Sequence, residues 1–169
     1  MTRPLPPSRA PLGGSGPTGP TTEPFELESF LPYLLNQAAE AASRSFAQVY
    51  RTEHGMTRTQ WRVLANLGRF GAMTAAGICR RSHLEKTVAS RAIAAMEGQG
   101  WLRREASPRD RRAEILTLTD AGQELFRGLG ALALDHDRRL RERLGPGRAE
   151  AVEAVLRELM AMGGGDDPT

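Results

Sequence analysis

Lys86, Thr87, Ser90 and Arg91 stand at one-, three- and four-residue steps in a segment, about Glu85 to Glu97, whose remaining positions are mostly small or apolar. On an α-helix this spacing puts Thr87, Ser90, Arg91 and Ala94 on one face. A second group of cations follows, with Arg109, Arg111 and Arg112 around Asp110. The chemistry open to these residues is hydrogen bonding and charge pairing rather than bond making. Arginine can donate two parallel N–H bonds to guanine O6 and N7, or to a phosphate. Short side chains beside it let a helix backbone approach base edges closely. The alternative for Arg91 is a phosphate or a carboxylate within its own helix. For Lys86 and Ser82, a phosphate is the better expectation than a base. No nucleophile–base pattern, glycine-rich phosphate loop or pair of carboxylates stands out, so no catalytic residue, enzyme activity or cofactor is expected.

The elements around these residues fit that use. Thr74 is placed to cap a short helix, Ala75 to Arg80, and Ser82-His83-Leu84 forms a turn. The next helix carries Leu84, Val88, Ala92, Ala95 and Met96 as its expected buried stripe, and Gly98 and Gly100 end it. Trp101 to Arg104 reads as one strand and Ile115 to Thr119 as its antiparallel partner. Residues 106–112 form an arginine-rich loop between them. A helix that suits the major groove beside a positive hairpin is a winged helix-turn-helix. The expected fold class is therefore mainly α with a small β-hairpin wing (α+β).

Charge distribution agrees. The chain has 169 residues and a net charge of +3. Residues 80–112 hold nine basic and four acidic residues, a net of +5, which leaves −2 for the rest. Positive charge concentrated on one segment is what a phosphate-binding surface requires. Lys86 is the sole lysine among 23 basic residues, a bias that reflects a GC-rich genome more than mechanism. An apolar content of 40% supports a core. No apolar run is long enough for a transmembrane helix. Arg3 and Arg9 are followed by Pro, Gly and Ser rather than an apolar stretch, unlike a secretory signal, so a cytoplasmic location is expected. Cys79 is the one cysteine, which rules out an intrachain disulfide and a cysteine zinc site; it reads as a buried structural residue. His54, His83 and His136 have no metal-ligand spacing and are expected as caps or surface residues.

Outside the winged helix, residues 1–24 are rich in Pro, Gly, Ser and Thr and are expected to form a flexible arm. From Phe30 to about Glu53, Leu31, Leu34, Leu35, Ala38, Ala42, Phe46, Val49 and Tyr50 recur with helical period, up to Gly55. A second helix is expected after a cap at Thr57 or Thr59, with Trp61, Leu64 and Leu67 inward and a stop at Gly68. Thr119 caps a long helix from Asp120 to about Leu144. Gly145-Pro146-Gly147 breaks the chain, and a last helix runs to about Met162 with Val152, Val155, Leu156, Leu159 and Met160 on one face. A small winged helix cannot bury the stripes of the first and last helices. A second copy could, which predicts a twofold homodimer. The expected division is an arm over 1–24, one domain over 25–162 and a disordered tail over 163–169. Within the domain, the winged helix covers about 57–119, with dimerisation helices over about 30–54 and 120–162.

Several phrases, in order, resemble the MarR family of bacterial transcription regulators. These are Thr59-Gln60-Trp61-Arg62-Val63-Leu64, then Lys86 to Ile93, then Met96 to Leu102, then Asp110-Arg111-Arg112, then Leu116 to Gly122. The resemblance covers about Phe30 to Met162. It implies a homodimer that binds a pseudo-palindromic double-stranded operator, most often as a repressor. It also implies release by a small molecule, typically a phenolic or other aromatic acid. It places Arg112 in the minor groove, with Asp110 orienting the loop; a narrow minor groove has enhanced negative potential that attracts arginine. Arg109 and Arg111 then meet phosphates. One branch of the family senses peroxides through a cysteine near the first helix, and this chain has none there. The effector pocket implied lies between the dimer helices and the winged helix. Asn36, His54, Trp61 and Arg62 come from those elements, where an aromatic wall and a basic group suit an aromatic carboxylate. The alternative is that Trp61 is core and Arg62 surface. Two other functions stand beside the ligand-responsive repressor: a DNA-binding regulator without small-molecule control, and a winged-helix protein-interaction module.

Overall fold

The structure, a computed structural model, describes residues 24–106 and 114–163. The chain divides at Asn36–Gln37 into two units. In the first, a single 3-10 turn, Leu27–Ser29, precedes α1 (Leu31–His54). Phe25 and Phe30 meet edge to face at 5.4 Å, and Phe25, Leu27, Phe30, Leu31 and Leu34 are exposed.

The second unit continues α1 and adds α2 (Arg58–Phe70), α3 (Ala75–Ser82), α4 (Lys86–Gly98), β1 (Leu102–Ala106), β2 (Glu114–Leu118), α5 (Asp120–Leu144) and α6 (Arg148–Gly163). The architecture is mainly helical with one antiparallel hairpin, in which Leu102 faces Leu118 and Ala106 faces Glu114. Met73 adds a backbone bridge to Leu116 on the other edge of β2. The core is continuous across these elements. Phe46 and Tyr50 of α1, Val63, Leu64 and Leu67 of α2, Ile78 of α3, Ile93 and Met96 of α4, Leu102, Leu116, Leu118 and Leu129 pack together.

Local chemistry explains the boundaries. Thr57, not Thr59, caps α2: its hydroxyl accepts from the Gln60 N–H at 3.2 Å, and its own N–H donates to Gln60 Oε1 at 2.7 Å. This reciprocal box satisfies two otherwise orphan donors. Thr74 and Thr119 cap α3 and α5 through the N–H groups of Gly77 and Gly122.

Several sequence expectations shift: β1 is Leu102–Ala106 rather than Trp101 to Arg104, and β2 is Glu114–Leu118 rather than Ile115 to Thr119. Gly68 does not end α2, which runs on to Phe70. A side chain at 68 would collide with the Phe126 ring of α5, so this glycine serves close helix contact. The α3 helix extends past Arg80 to Ser82. The buried stripe of α4 is Ala89, Ala92, Ile93 and Met96, whereas Val88 and Ala95 are exposed. Leu84 lies before the helix, in the turn, and counting the period from it shifts the face by one residue.

Candidate nucleic-acid interface

The interface is built on the turn between α3 and α4. His83 closes α3 in the left-handed region, at φ 48° and ψ 48°. Histidine tolerates this better than branched residues do. The Leu84 N–H returns to the Cys79 carbonyl at 3.0 Å, and Leu84 packs against the core. The next helix therefore leaves with its inward stripe fixed. Its outward face carries Lys86, Thr87, Ser90, Arg91 and Ala94, all exposed.

Among the described residues, the two cations of this face are not drawn into ion pairs. Glu97, the carboxylate on α4 itself, pairs with Arg104. No ion pair to Arg91 or Lys86 occurs among the described residues, so the intrahelical carboxylate considered for Arg91 is absent. Thr87 Oγ1 sits 3.5 Å from a carboxylate oxygen of Glu85, at the limit of a hydrogen bond. Ser82 is different. Its hydroxyl accepts from Asn66 Nδ2 at 2.8 Å and its carbonyl from Arg62 Nη1 at 3.4 Å, which ties the turn to α2.

Sequence reasoning missed the brace behind the hairpin. Arg104 donates through Nε to Glu97 at 2.9 Å and through Nη1 to Glu114 at 2.9 Å. One guanidinium thus joins the end of α4 to both strands. The bonds to Glu114 and then Glu97 raise its pKa above the ordinary arginine value. An alternation of charge between β1 and β2 was the signal available. Arg109, Asp110, Arg111 and Arg112 lie outside the described residues, in the connection between those strands.

A second feature is a cavity of about 260 Å³ between α1, α2 and α5. Ser43, Phe46, Arg58, Trp61, Arg62 and His136 line it. Phe46 meets Trp61 edge to face at 5.2 Å and lies 5.5 Å from the His136 ring. Arg58 pairs with Glu40. Burial pushes the phenol of neighbouring Tyr50 up, which keeps it protonated. The cavity brings together Trp61 and Arg62 but not the other two candidates. His54 ends α1 beside Glu53, 3.9 Å away, and is not in the lining. Asn36 is exposed and belongs to the first unit. Sequence reasoning did not find Arg58 and His136 as lining residues, although Arg58 precedes Arg62 by one helical turn. Cys79 is half-buried and unpaired. Among the described residues there is no cluster of metal-ligating side chains, and no helix is long and apolar enough to cross a membrane.

A capped helix-turn-helix followed by a two-stranded hairpin defines a winged-helix DNA-binding protein. Residues 54–113 match the sequence model of the MarR family. The chain is similar to the MarR family transcriptional regulator SPO1453 from Silicibacter pomeroyi, at 32% identity and a TM-score of 0.73, covering 82% of this chain and 98% of that one. It belongs to the MarR family, a family of transcriptional regulators rather than enzymes. Two more distant structures share the fold. One is BpsR of Bordetella bronchiseptica, whose DNA binding is regulated by 6-hydroxynicotinic acid (22% identity, TM-score 0.72, 82% of this chain and 98% of that one). The other is a cysteine-to-serine mutant of E. coli MarR in complex with operator DNA (19%, 0.68, 76% and 92%). No curated protein matches the chain.

Proposed function

We propose that this regulator is a homodimeric repressor that binds a pseudo-palindromic operator in the cytoplasm and is released by a small aromatic acid. The observation that carries the reading is the outward face of α4: Lys86 and Arg91 without ion-pair partners among the described residues, set among Thr87, Ser90 and Ala94, with the hairpin braced behind it by Arg104. Thr87, Ser90 and Arg91 meet base edges. Lys86 and Ser82 meet phosphates, as do Arg109 and Arg111. Arg112 enters the minor groove, with Asp110 orienting its loop.

Two further features support the finer parts. Exposed Val152, Val155, Leu156 and Met160 on α6, and Phe25, Leu27, Phe30, Leu31 and Leu34 in the first unit, are apolar surface that a second copy would cover. Residues 30–54 and 120–162 then serve dimerisation and 57–119 serve DNA reading, with the two reading helices roughly 34–36 Å apart. The cavity beside Trp61 is lined by Arg58 and Arg62 together with the Phe46 and Trp61 rings, a combination of cation and aromatic wall that suits an aromatic carboxylate. BpsR responds to a ligand of that class.

Fluorescence anisotropy on the DNA upstream of its own gene tests the reading, at two salt concentrations and with a panel of aromatic acids. The expected result is tight, salt-sensitive binding that one acid relieves. Binding that no acid alters would leave a regulator without small-molecule control. No binding to any duplex would overturn the DNA reading.

A further inference from the structure

The core does not use Val88. It is the third residue of α4, 43% exposed, and lies outside the inward stripe of Ala89, Ala92, Ile93 and Met96. An exposed β-branched residue weakens a helix slightly, because its χ1 is confined to one rotamer. That confinement also holds the isopropyl group in one place. Thr87 and Arg91 stand next to it on the outward surface. A shallow depression of about 300 Å³ opens beside it between α4 and the start of α2, lined by Val88, Arg91, Ala92 and Ala95 of α4 and by Thr57, Thr59 and Gln60. The first turns of a recognition helix are the part that reaches base edges. In the major groove, base edges display hydrogen-bond donors and acceptors; the one apolar group among them is the 5-methyl of thymine.

We propose that Val88 reads a thymine methyl group in each half of the operator, beside the base or phosphate that Arg91 engages. The inference rests on the reading of α4 as the DNA-contacting helix. It adds an apolar specificity determinant to a face otherwise read through hydrogen bonds. A cytosine at that position lacks the methyl and presents a donor to the isopropyl group, so it is disfavoured twice.

The test uses the full-length protein. A duplex is first selected from a random-sequence pool, and each of its thymines is then replaced singly by deoxyuridine, which removes only the methyl. Wild-type protein should lose about fourfold in affinity at one position of each half-site, the scale of one methyl's burial. Val88→Ala should bind the thymine duplex about fourfold or more weakly, at a melting temperature no lower than wild type, and no longer distinguish thymine from deoxyuridine there. Val88→Ile, which keeps the branch, should retain the discrimination. The inference is overturned if wild type ignores every substitution, or if Val88→Ala discriminates as sharply as wild type. Failure to enrich any sequence would instead sink the DNA reading itself, and this inference with it.

Discussion

Arg91 is exposed on α4, and no carboxylate among the described residues pairs with it, so none of them competes with a nucleic acid for its guanidinium. A bidentate bond to guanine is worth about 1–3 kcal/mol of discrimination, whereas a phosphate contact gives affinity without sequence information. Arg91→Ala should therefore weaken operator binding far more than random-duplex binding in an anisotropy titration. An equal loss on both would make Arg91 a phosphate contact. At this scale the exposure of the polar residues was legible and that of Val88 was not. Thr87, Ser90 and Arg91 recur at helical spacing on a face that carries no competing apolar signal. A period counted from Leu84 as the first rung of the stripe puts Val88 inward. Leu84 packs half-buried against the core from the turn instead, and only the position of the helix start, set by the His83 cap, reveals the true phase.

At the level of elements, caps and breaks were written plainly in the sequence, but contacts between elements were not. Thr74, Thr119 and Gly145 mark helix ends by local chemistry that a sequence displays. Gly68 and Gly122 are glycines for a different reason, visible only once helices pack. A side chain at 122 would strike the backbone carbonyl of Trp101, which is also held by the Thr119 N–H at 3.1 Å. At 68 it would meet the Phe126 ring at Cγ, so the whole side chain would have to shift within its packing against the core. Overpacking typically costs about 1–3 kcal/mol, while Gly→Ala inside a helix otherwise gains roughly 0.5–1 kcal/mol. Denaturant unfolding should show both Gly122→Ala and Gly68→Ala less stable than wild type, with Gly122→Ala, opposed by backbone, the worse; a gain in stability at either would contradict the packing. The Arg104 brace makes a separate demand. Its partners are exposed, so Arg104→Ala should change stability by no more than about 1 kcal/mol. It should nonetheless weaken DNA binding, because the hairpin loses its tie to α4. Unaltered binding would show that the hairpin holds its place without Glu97 and Glu114.

For the molecule as a whole, the uneven charge along the chain singled out the segment that holds α4 and the hairpin, whereas the network joining α5 to α6 left no clear trace in the sequence. Arg141 donates to Asp137 at 2.8 Å on its own helix and to Glu153 at 3.0 Å on α6. Arg157 and then Arg141 hold the Glu153 carboxyl below its ordinary value of 4.5, and Arg138 foremost holds Asp135 below 3.8. A carboxylate whose pKa is depressed by folding stabilises the native state at every pH above its unfolded value, and that contribution disappears as pH falls through the lower folded value. Both groups are exposed, so the effect is screened by salt. Arg141→Gln removes the cation that spans the two helices. Its melting temperature should lie below wild type at neutral pH in low salt, and the gap should close as the buffer is taken below pH 4.5, where Glu153 begins to protonate in the unfolded chain. A gap that persists unchanged into strong acid would mean that Arg141 acts through its aliphatic stem, which lines the same groove as Leu144 and Val152, and not through its charge.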